Sequence, residues 1–368
     1  MQGENLRSTI SMWSKGDYSL NTQGAKDVID NTTDLALGAI AAIDVEHGSG
    51  PFTIADFGAA DGGTSLDLIG KLVGAVRERA PARPLCVTYT DLPRNDYCAL
   101  FSTVHGERPN IESYQQRHDD VFVYAAATSF YQPIFPAGTV DFGFSATAMH
   151  WLSSLPCQIS NHVHAVGAQG EELAALRERA RMDWEINLAC RAGELKPGGR
   201  LVTANLCIDD QGRYMGNTGG VNMFDTLNML WWKLAEEGVI SPQEYRDTTI
   251  PQFYRTVDEY CAPLNDPSSP VSRAGLRLES VQTRPVRCPY AARFEADGDA
   301  VKFAESYMPT TRTWSETVFF NSLSADRSMA ERQEIVDRFY RSFTGNVLEN
   351  PEGHAMDYVH VYMVMSKV

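Results

Sequence analysis

One stretch constrains this chain more than any other: Phe52-Thr-Ile-Ala-Asp-Phe57 runs straight into Gly58-Ala-Ala-Asp-Gly-Gly63, and a helical pattern follows at once. An apolar run of strand length that ends on glycines and opens a helix is the general form of a nucleotide-handling turn, because glycine lets backbone approach a ligand closely. Leu66, Ile69, Val73 and Val76 then recur at spacings of three and four, which predicts a helix. The rhythm continues. Residues 85–90 read as a second strand stopped by Asp91-Leu-Pro93, residues 121–126 as a third and residues 140–144 as a fourth. A long helical stretch over 171–195 ends at the turn signal Lys196-Pro-Gly-Gly199, and residues 200–207 read as a fifth strand. Strands alternating with helices predict an α/β fold with a mostly parallel sheet and helices on both faces.

After residue 207 the rhythm breaks. Residues 208–270 carry aromatic-rich helical material (Phe224, Leu227, Leu230, Trp231, Leu234) and a Pro/Ser-rich loop over 263–270. A strand over 276–283, a helix over 329–343 and a final strand over 359–364 follow. We expect a core with its N-terminal segment over 1–207, a helical cap over the active site at 208–270, and the remaining core strands and cap helices over 271–368.

Charge and composition exclude several classes. Lys plus Arg is 32 and Asp plus Glu is 47, a net charge of −15. Affinity for nucleic acid comes largely from Lys and Arg, so no nucleic-acid partner is expected. An anionic membrane surface is an equally poor match. Residues 1–13 contain no apolar core of a secretory signal, and the apolar run over 35–43 is shorter than the roughly 20 residues a membrane span needs. The seven cysteines, Cys86, Cys98, Cys157, Cys190, Cys207, Cys261 and Cys288, are odd in number and form no Cys-x-x-Cys pair. They read as reduced thiols of a cytoplasmic protein, not as a disulfide framework or a zinc site. His162 and His164 lack further ligands nearby, so no metal is expected.

The glycine turn narrows the ligand. A dinucleotide fingerprint needs Gly-x-Gly-x-x-Gly and an acid about 20 residues on. Here the glycines read Gly-x-x-x-Gly-Gly, and Asp91 lies 91 − 58 = 33 residues beyond Gly58. No Gly-Lys-Ser/Thr is present, which excludes a P-loop. Asp56, at the end of the first strand, would repel a pyrophosphate but suits a ligand with a cationic amino-acid end and a sulfonium. Asp91, at the end of the second, can accept the two hydroxyls of a ribose. The cofactor these features fit is S-adenosylmethionine, with S-adenosylhomocysteine as product.

A series of blocks, in one order along the chain, is similar to that of a known family. Tyr18-Ser19-Leu20-Asn21-Thr22 is similar to a Tyr-Ala-x-Asn-Ser segment, and Asp56-Phe57-Gly58 to an Asp-x-Gly turn. Asp91-Leu92-Pro93-Arg94-Asn95-Asp96-Tyr97 resembles Asp-Leu-Pro-x-Asn-Asp-Phe. Ser129-Phe130-Tyr131 with Phe135-Pro136, and Ser145 followed by Trp151-Leu152-Ser153, match further blocks in the same order. Across most of its length the chain thus resembles the SABATH family of S-adenosylmethionine-dependent carboxyl methyltransferases, as a non-plant member. The resemblance implies a class I, Rossmann-like methyltransferase fold, a small-molecule carboxylic acid as partner and a homodimer. It implies that Tyr18, Thr22, Asp56, Gly58, Asp91, Leu92, Ser129, Phe130 and Ser145 contact the cofactor. Leu92 and Phe130 would sandwich the adenine, and Asp56 would lie near the methionine end.

The chemistry implied is conversion of a small, largely apolar acid, aromatic, indolic or aliphatic, to its methyl ester. A carboxylate is already ionised at neutral pH, so no general base is needed. Proximity and alignment remain to be supplied. Trp151, whose indole N–H only donates, can hold one carboxylate oxygen so that the other faces the methyl. The family pairs this tryptophan with a glutamine. Counting from Tyr18, that position falls on Ala25, while a glutamine stands at Gln23. Either Gln23 serves, or His150, where plant members usually carry methionine, replaces it, or the donor is lost. The acceptor wall would include Met223, Phe224 and Met308, with Trp232 and Trp314 as weaker candidates. Thr147 stands where many plant members have tyrosine, which would widen the pocket. The alternative is methylation of a phenol or hydroxyl with His150 as base. A nicotinamide-dependent oxidoreductase and a non-catalytic binding module are more distant readings.

Overall fold

The computed structural model describes residues 18–109 and 111–368, so the N-terminal residues 1–13 read above lie outside the described part. Three helices, α1 (Tyr18–Asn21), α2 (Gln23–Asp30) and α3 (Thr33–Ala41), precede β1 (Phe52–Phe57). Then come α4 (Leu66–Arg79), β2 (Leu85–Asp91), α5 (Tyr97–Val104), β3 (Val121–Ala127), β4 (Val140–Ala146), α6 (Gly170–Glu194) and β5 (Leu195–Ile208). The second half holds α7 (Met223–Glu236), α8 (Pro242–Asp247), β6 (Arg255–Thr256), α9 (Val257–Asn265), α10 (Pro270–Arg273) and β7 (Leu276–Val286). It closes with α11 (Pro289–Asp297), α12 (Ala300–Asn321), α13 (Met329–Glu349) and β8 (Tyr358–Lys367).

The sheet runs β3-β2-β1-β4-β5-β8-β7, with the short β6 beside β5. β1 to β5 pair in parallel, and β8 inserts antiparallel between β5 and β7. Strand order reverses between β1 and β4, so the crevice at their carboxyl ends is where this topology opens a ligand site. Side chains alternate across the sheet. Phe52 and Ile54 of β1 pack with Leu68, Ile69 and Leu72 of α4 on one face. Ala55 and Phe57 pack with Trp184 and Leu188 of α6 on the other. The near-continuous apolar strands follow from this double cover.

Three differences from the sequence reading have physical causes. The Lys196-Pro-Gly-Gly199 stretch follows the end of α6 as expected but lies inside β5 as a bulge: Val140 pairs with Leu195 and Phe142 with Arg200, so residues 196–199 loop out of the β4–β5 ladder with Gly198 at φ +82°. Helix α12 escapes the apolar pattern because Pro309 and a run of threonines interrupt it. Its hydroxyls instead bond back along the helix, Thr313 Oγ1 to Pro309 O at 2.7 Å and Ser315 Oγ to Thr311 O at 2.6 Å. Finally, the 208–270 stretch divides. α7 packs with α12, α13 and Tyr362 of β8 in one apolar cluster. α9, through Tyr260, Cys261 and Leu264, packs with α6 on the opposite face of the sheet. Among the described residues no helix is long and apolar enough to cross a membrane.

Candidate active site

A cavity of about 690 Å³ opens at the carboxyl ends of β1, β2, β3 and β4. Its walls carry Asp56 and Gly58, the turn residues Ala59, Ala60, Thr64 and Ser65, then Asp91, Leu92 and Ser129 to Gln132. On the far side stand Phe144, Ala146, Thr147, Ala148 and Trp151, and the N-terminal helices add Tyr18, Ala25 and Ile29.

The backbone sets the donor end. Gly58 has φ +85°, and a Cβ there would lie 2.4 Å from Ala148 Cβ, so only glycine fits. Gly58 N and Ala59 N both donate to Thr90 O, at 2.9 and 3.1 Å, which fixes the turn against β2. Asp91 is pinned by two backbone donors, Ala60 N to Oδ2 at 2.8 Å and Leu92 N to Oδ1 at 2.7 Å. A carboxylate offers about four acceptor positions, so about two stay free, one on each oxygen, which suits a ribose diol. Burial nevertheless pushes the Asp91 carboxyl upward in pKa, and the two N–H donors oppose that. Asp56 accepts from Ser65 Oγ at 2.6 Å. Burial raises its pKa to about 7; the Ser65 hydrogen bond opposes this and the charge of Asp91 adds to it. A nearly solvent-free carboxyl held this high asks for a cation, and the ammonium of an amino-acid ligand is one. The narrow glycine turn, the two free Asp91 positions and the cation-seeking Asp56 together fit S-adenosylmethionine.

Trp151 dominates the acceptor end. Tyr131 OH donates to its carbonyl, and its backbone bridges Gln252. Its Nε1 is buried and has no hydrogen-bond partner. A buried donor without a partner is costly, about 1–3 kcal/mol, and marks where a ligand oxygen belongs. Beside it Thr147 has φ +52°, a left-handed conformation rare for a β-branched residue and worth about 1–3 kcal/mol of strain. Its N–H donates to Ala204 O at 2.8 Å.

Of the predicted site residues, Tyr18, Asp56, Gly58, Asp91, Leu92, Ser129, Phe130 and Trp151 stand on the cavity wall. Others do not. Ser145 Oγ is fully buried and donates to Phe57 O at 2.7 Å, because alternation along β4 turns Phe144 and Ala146 to the cavity and Ser145 away. Thr22 Oγ1 donates to Tyr18 O at 2.7 Å and braces α1 without reaching the wall. Gln23 is exposed and donates to Asp27 Oδ1 at 2.8 Å. Residues 23 and 27 share the outer face of α2, while Ala25 and Ile29 share the inner one.

His150 is buried against Tyr254, off the wall, with ring centroids 5.9 Å apart. Burial holds its pKa well below the ordinary range, with His360, His164 and Arg255 adding to the effect. An imidazole with so little proton affinity is a poor general base, so the structure does not support His150 in that role. Met223, Phe224, Met308 and Trp314 lie in the apolar cluster that also contains Ala25 and against which Trp151 packs, and none of the four is on the cavity wall. Trp232 is exposed on the outside, against Tyr245. The sequence reading gave no role to Ser65, Asn95 and Tyr131, although the last two stand inside blocks quoted above. Asn95 Nδ2 donates to Ala60 O at 2.7 Å and closes the turn. The only signal for Ser65 was its place just before the helix.

The chain matches the family described as SAM dependent carboxyl methyltransferase over residues 13–368. It is 27% identical over 251 residues to a protein named salicylate carboxymethyltransferase from Clarkia breweri, covering 65% of this chain and 67% of the other. It is 24% identical over 273 residues to a protein named gibberellic acid methyltransferase 2 from Arabidopsis thaliana, covering 67% and 68%. Its fold is similar to that of a solved loganic acid methyltransferase with SAH, with a TM-score of 0.76, 21% identity and coverage of 97% and 98% of the two chains. The chain therefore belongs to the S-adenosylmethionine-dependent carboxyl methyltransferase family.

Proposed function

We propose that this protein converts the carboxylate of a small, largely apolar acid to its methyl ester in the cavity between Asp91 and Trp151. S-adenosylmethionine is the cofactor of the family, and its sulfonium supplies an electrophilic methyl group. In this reading Asp91 takes the ribose hydroxyls, Asp56 takes the ammonium, and Leu92 and Phe130 flank the adenine. Trp151 Nε1 holds one oxygen of the acid and leaves the other free to attack. Ala25, Ile29, Phe144 and Ala148 make this end apolar and exclude water. The reacting carboxylate needs no proton removed at neutral pH, so orientation is what the protein contributes, worth several kcal/mol. The observation that carries the reading is the buried, partnerless indole N–H on the cavity wall.

The reading extends to a homodimer, on the resemblance, and to a cytoplasmic setting, on the free thiols. A labelled methyl-transfer screen over aromatic, indolic and aliphatic acids tests the function. The expected product is an ester that releases its label on mild alkaline treatment. Label that stays on a phenol after that treatment would transfer the case to hydroxyl methylation. At saturating cofactor, kcat for the acid should show no essential group titrating between about pH 6 and 7, the range of an ordinary histidine.

A further inference from the structure

Between Phe144 and Leu152 the cavity wall offers only two polar side chains, Trp151 and Thr147. Trp151 is the one the proposed transfer uses. Thr147 is not accounted for by it. Its backbone sits at φ +52°, where glycine would fit without strain, yet the residue there is β-branched. Its hydroxyl is not left to rotate. Thr147 Oγ1 lies 3.0 Å from His360 Nε2, and His360 is fully buried on β8. Burial takes the His360 pKa down to about 3, so its ring is uncharged at physiological pH. A neutral imidazole behind a hydroxyl anchors it, as donor or acceptor according to the tautomer, without bringing a charge to the pocket.

A hydroxyl so held has one bond satisfied and keeps capacity for a second, toward the cavity. The wall around it is apolar: Phe144, Ala146, Ala148 and Leu152 offer nothing else to bond. Among the described residues the cationic side chain on the cavity wall is Arg94, which stands with Asp91 and Leu92 at the donor end, so a second carboxylate on this stretch would be buried without a counter-charge beside it. What the pair can match is a neutral group.

On the reading of this site as a carboxyl methyltransferase, we propose that the acceptor acid carries a hydroxyl or carbonyl near its carboxyl end, and that Thr147, oriented by His360, receives it. Thr147 is then a specificity-determining residue and His360 its positioning residue. A site built to hydrogen-bond such a group discriminates strongly against the analogue lacking it, because its own polar atom would be left unpaired.

The test compares pairs of acids on one carbon skeleton, the parent acid against its 2-hydroxy, 2-oxo and, for aromatic acids, ortho-hydroxy derivatives. The wild-type enzyme is expected to prefer one of the oxygenated members at least tenfold in kcat/KM. Thr147→Val keeps the shape and removes the hydroxyl, and the preference should fall to within about threefold of unity. Thr147→Ser should restore most of it. His360→Leu should weaken the preference while the donor site still binds S-adenosylhomocysteine, which also reports that each variant is folded. Parent acids turned over as well as every oxygenated partner, or a preference unchanged in Thr147→Val, would overturn the inference and leave carboxyl methylation standing. No methyl transfer to any acid, with S-adenosylhomocysteine still bound, would overturn both.

Discussion

Asp56 joins ligand binding to pH. In the empty protein its carboxyl titrates near 7, so below that pH it keeps a proton. A ligand ammonium at this spot favours the charged form and expels that proton. Affinity for S-adenosylhomocysteine should therefore rise as pH increases from about 5.5 and level off above about 7, with proton release seen in calorimetry in buffers of different ionisation heat. Asp56→Asn should flatten the profile as well as weaken binding. A profile as steep in the variant as in the wild type would assign the titration elsewhere. At this scale Asp56, Gly58 and Asp91 were legible because each ends a strand, and strand ends can be read from where an apolar run stops. Gln23 and Ser145 were not. Matching a motif gives a position in sequence, but the face a side chain takes follows from helix phase for Gln23 and strand alternation for Ser145. Both lie one step off the wall for that reason.

Among the elements, α1 carries Tyr18 onto the cavity wall, and it is tied down from two sides. Ser19 N and Ser19 Oγ both donate to Asp61 Oδ2, at 3.1 and 2.9 Å. On the other side Thr310 Oγ1 of α12 donates to Asn21 O at 2.6 Å. Gly63 permits the approach, since a Cβ there would meet Ser19 Oγ at 2.4 Å. Asp61→Ala should loosen α1 and weaken S-adenosylhomocysteine binding about fivefold, the equivalent of about 1 kcal/mol for a lost hydrogen-bonded tether. Equilibrium titration checks this, and unchanged affinity would show that α1 needs no such anchor. The strands and α4 were legible from periodicity alone. α12 was not, because Pro309 and the run Thr310-Thr311-Arg312-Thr313 interrupt an inner face that Phe303, Tyr307, Met308, Trp314 and Phe319 otherwise make apolar. The 208–270 stretch was only half legible: α7 and α9 both read as partly apolar helices, and composition does not say which face of a sheet a helix will cover.

For the whole molecule, the order of strands places Asp56, Asp91 and Trp151 around one cavity at one rim of one sheet, and the core beneath determines how the protein tolerates acid. His150, His164, His354 and His360 are all held below the ordinary histidine range by burial, His164 and His360 to about 3. An unfolded chain takes up protons at these positions once pH drops below about 6.5, whereas the folded one does not, so this stability is present above pH 6.5 and lost on acidification. Asp56 and Asp91 act in the opposite sense, since raised carboxyls bind protons sooner when folded. Four histidines outweigh two carboxyls, and the melting temperature should fall between pH 7 and pH 5. A flat or rising profile would mean that the histidines are solvated in solution.

The central claim is a division of labour between the two ends of one cavity, and one paired measurement reaches it. Wild type, Asp91→Ala and Trp151→Ala are titrated with S-adenosylhomocysteine and assayed for ester formation with the best acid of the screen. Each charge-assisted hydrogen bond is worth about 1.5–3 kcal/mol, or roughly 10- to 100-fold. Asp91→Ala should weaken S-adenosylhomocysteine by about that much. Trp151→Ala should cost the acid's kcat/KM a similar factor and leave S-adenosylhomocysteine affinity within threefold. Equal losses in both quantities for Trp151→Ala, or none in binding for Asp91→Ala, would contradict the account.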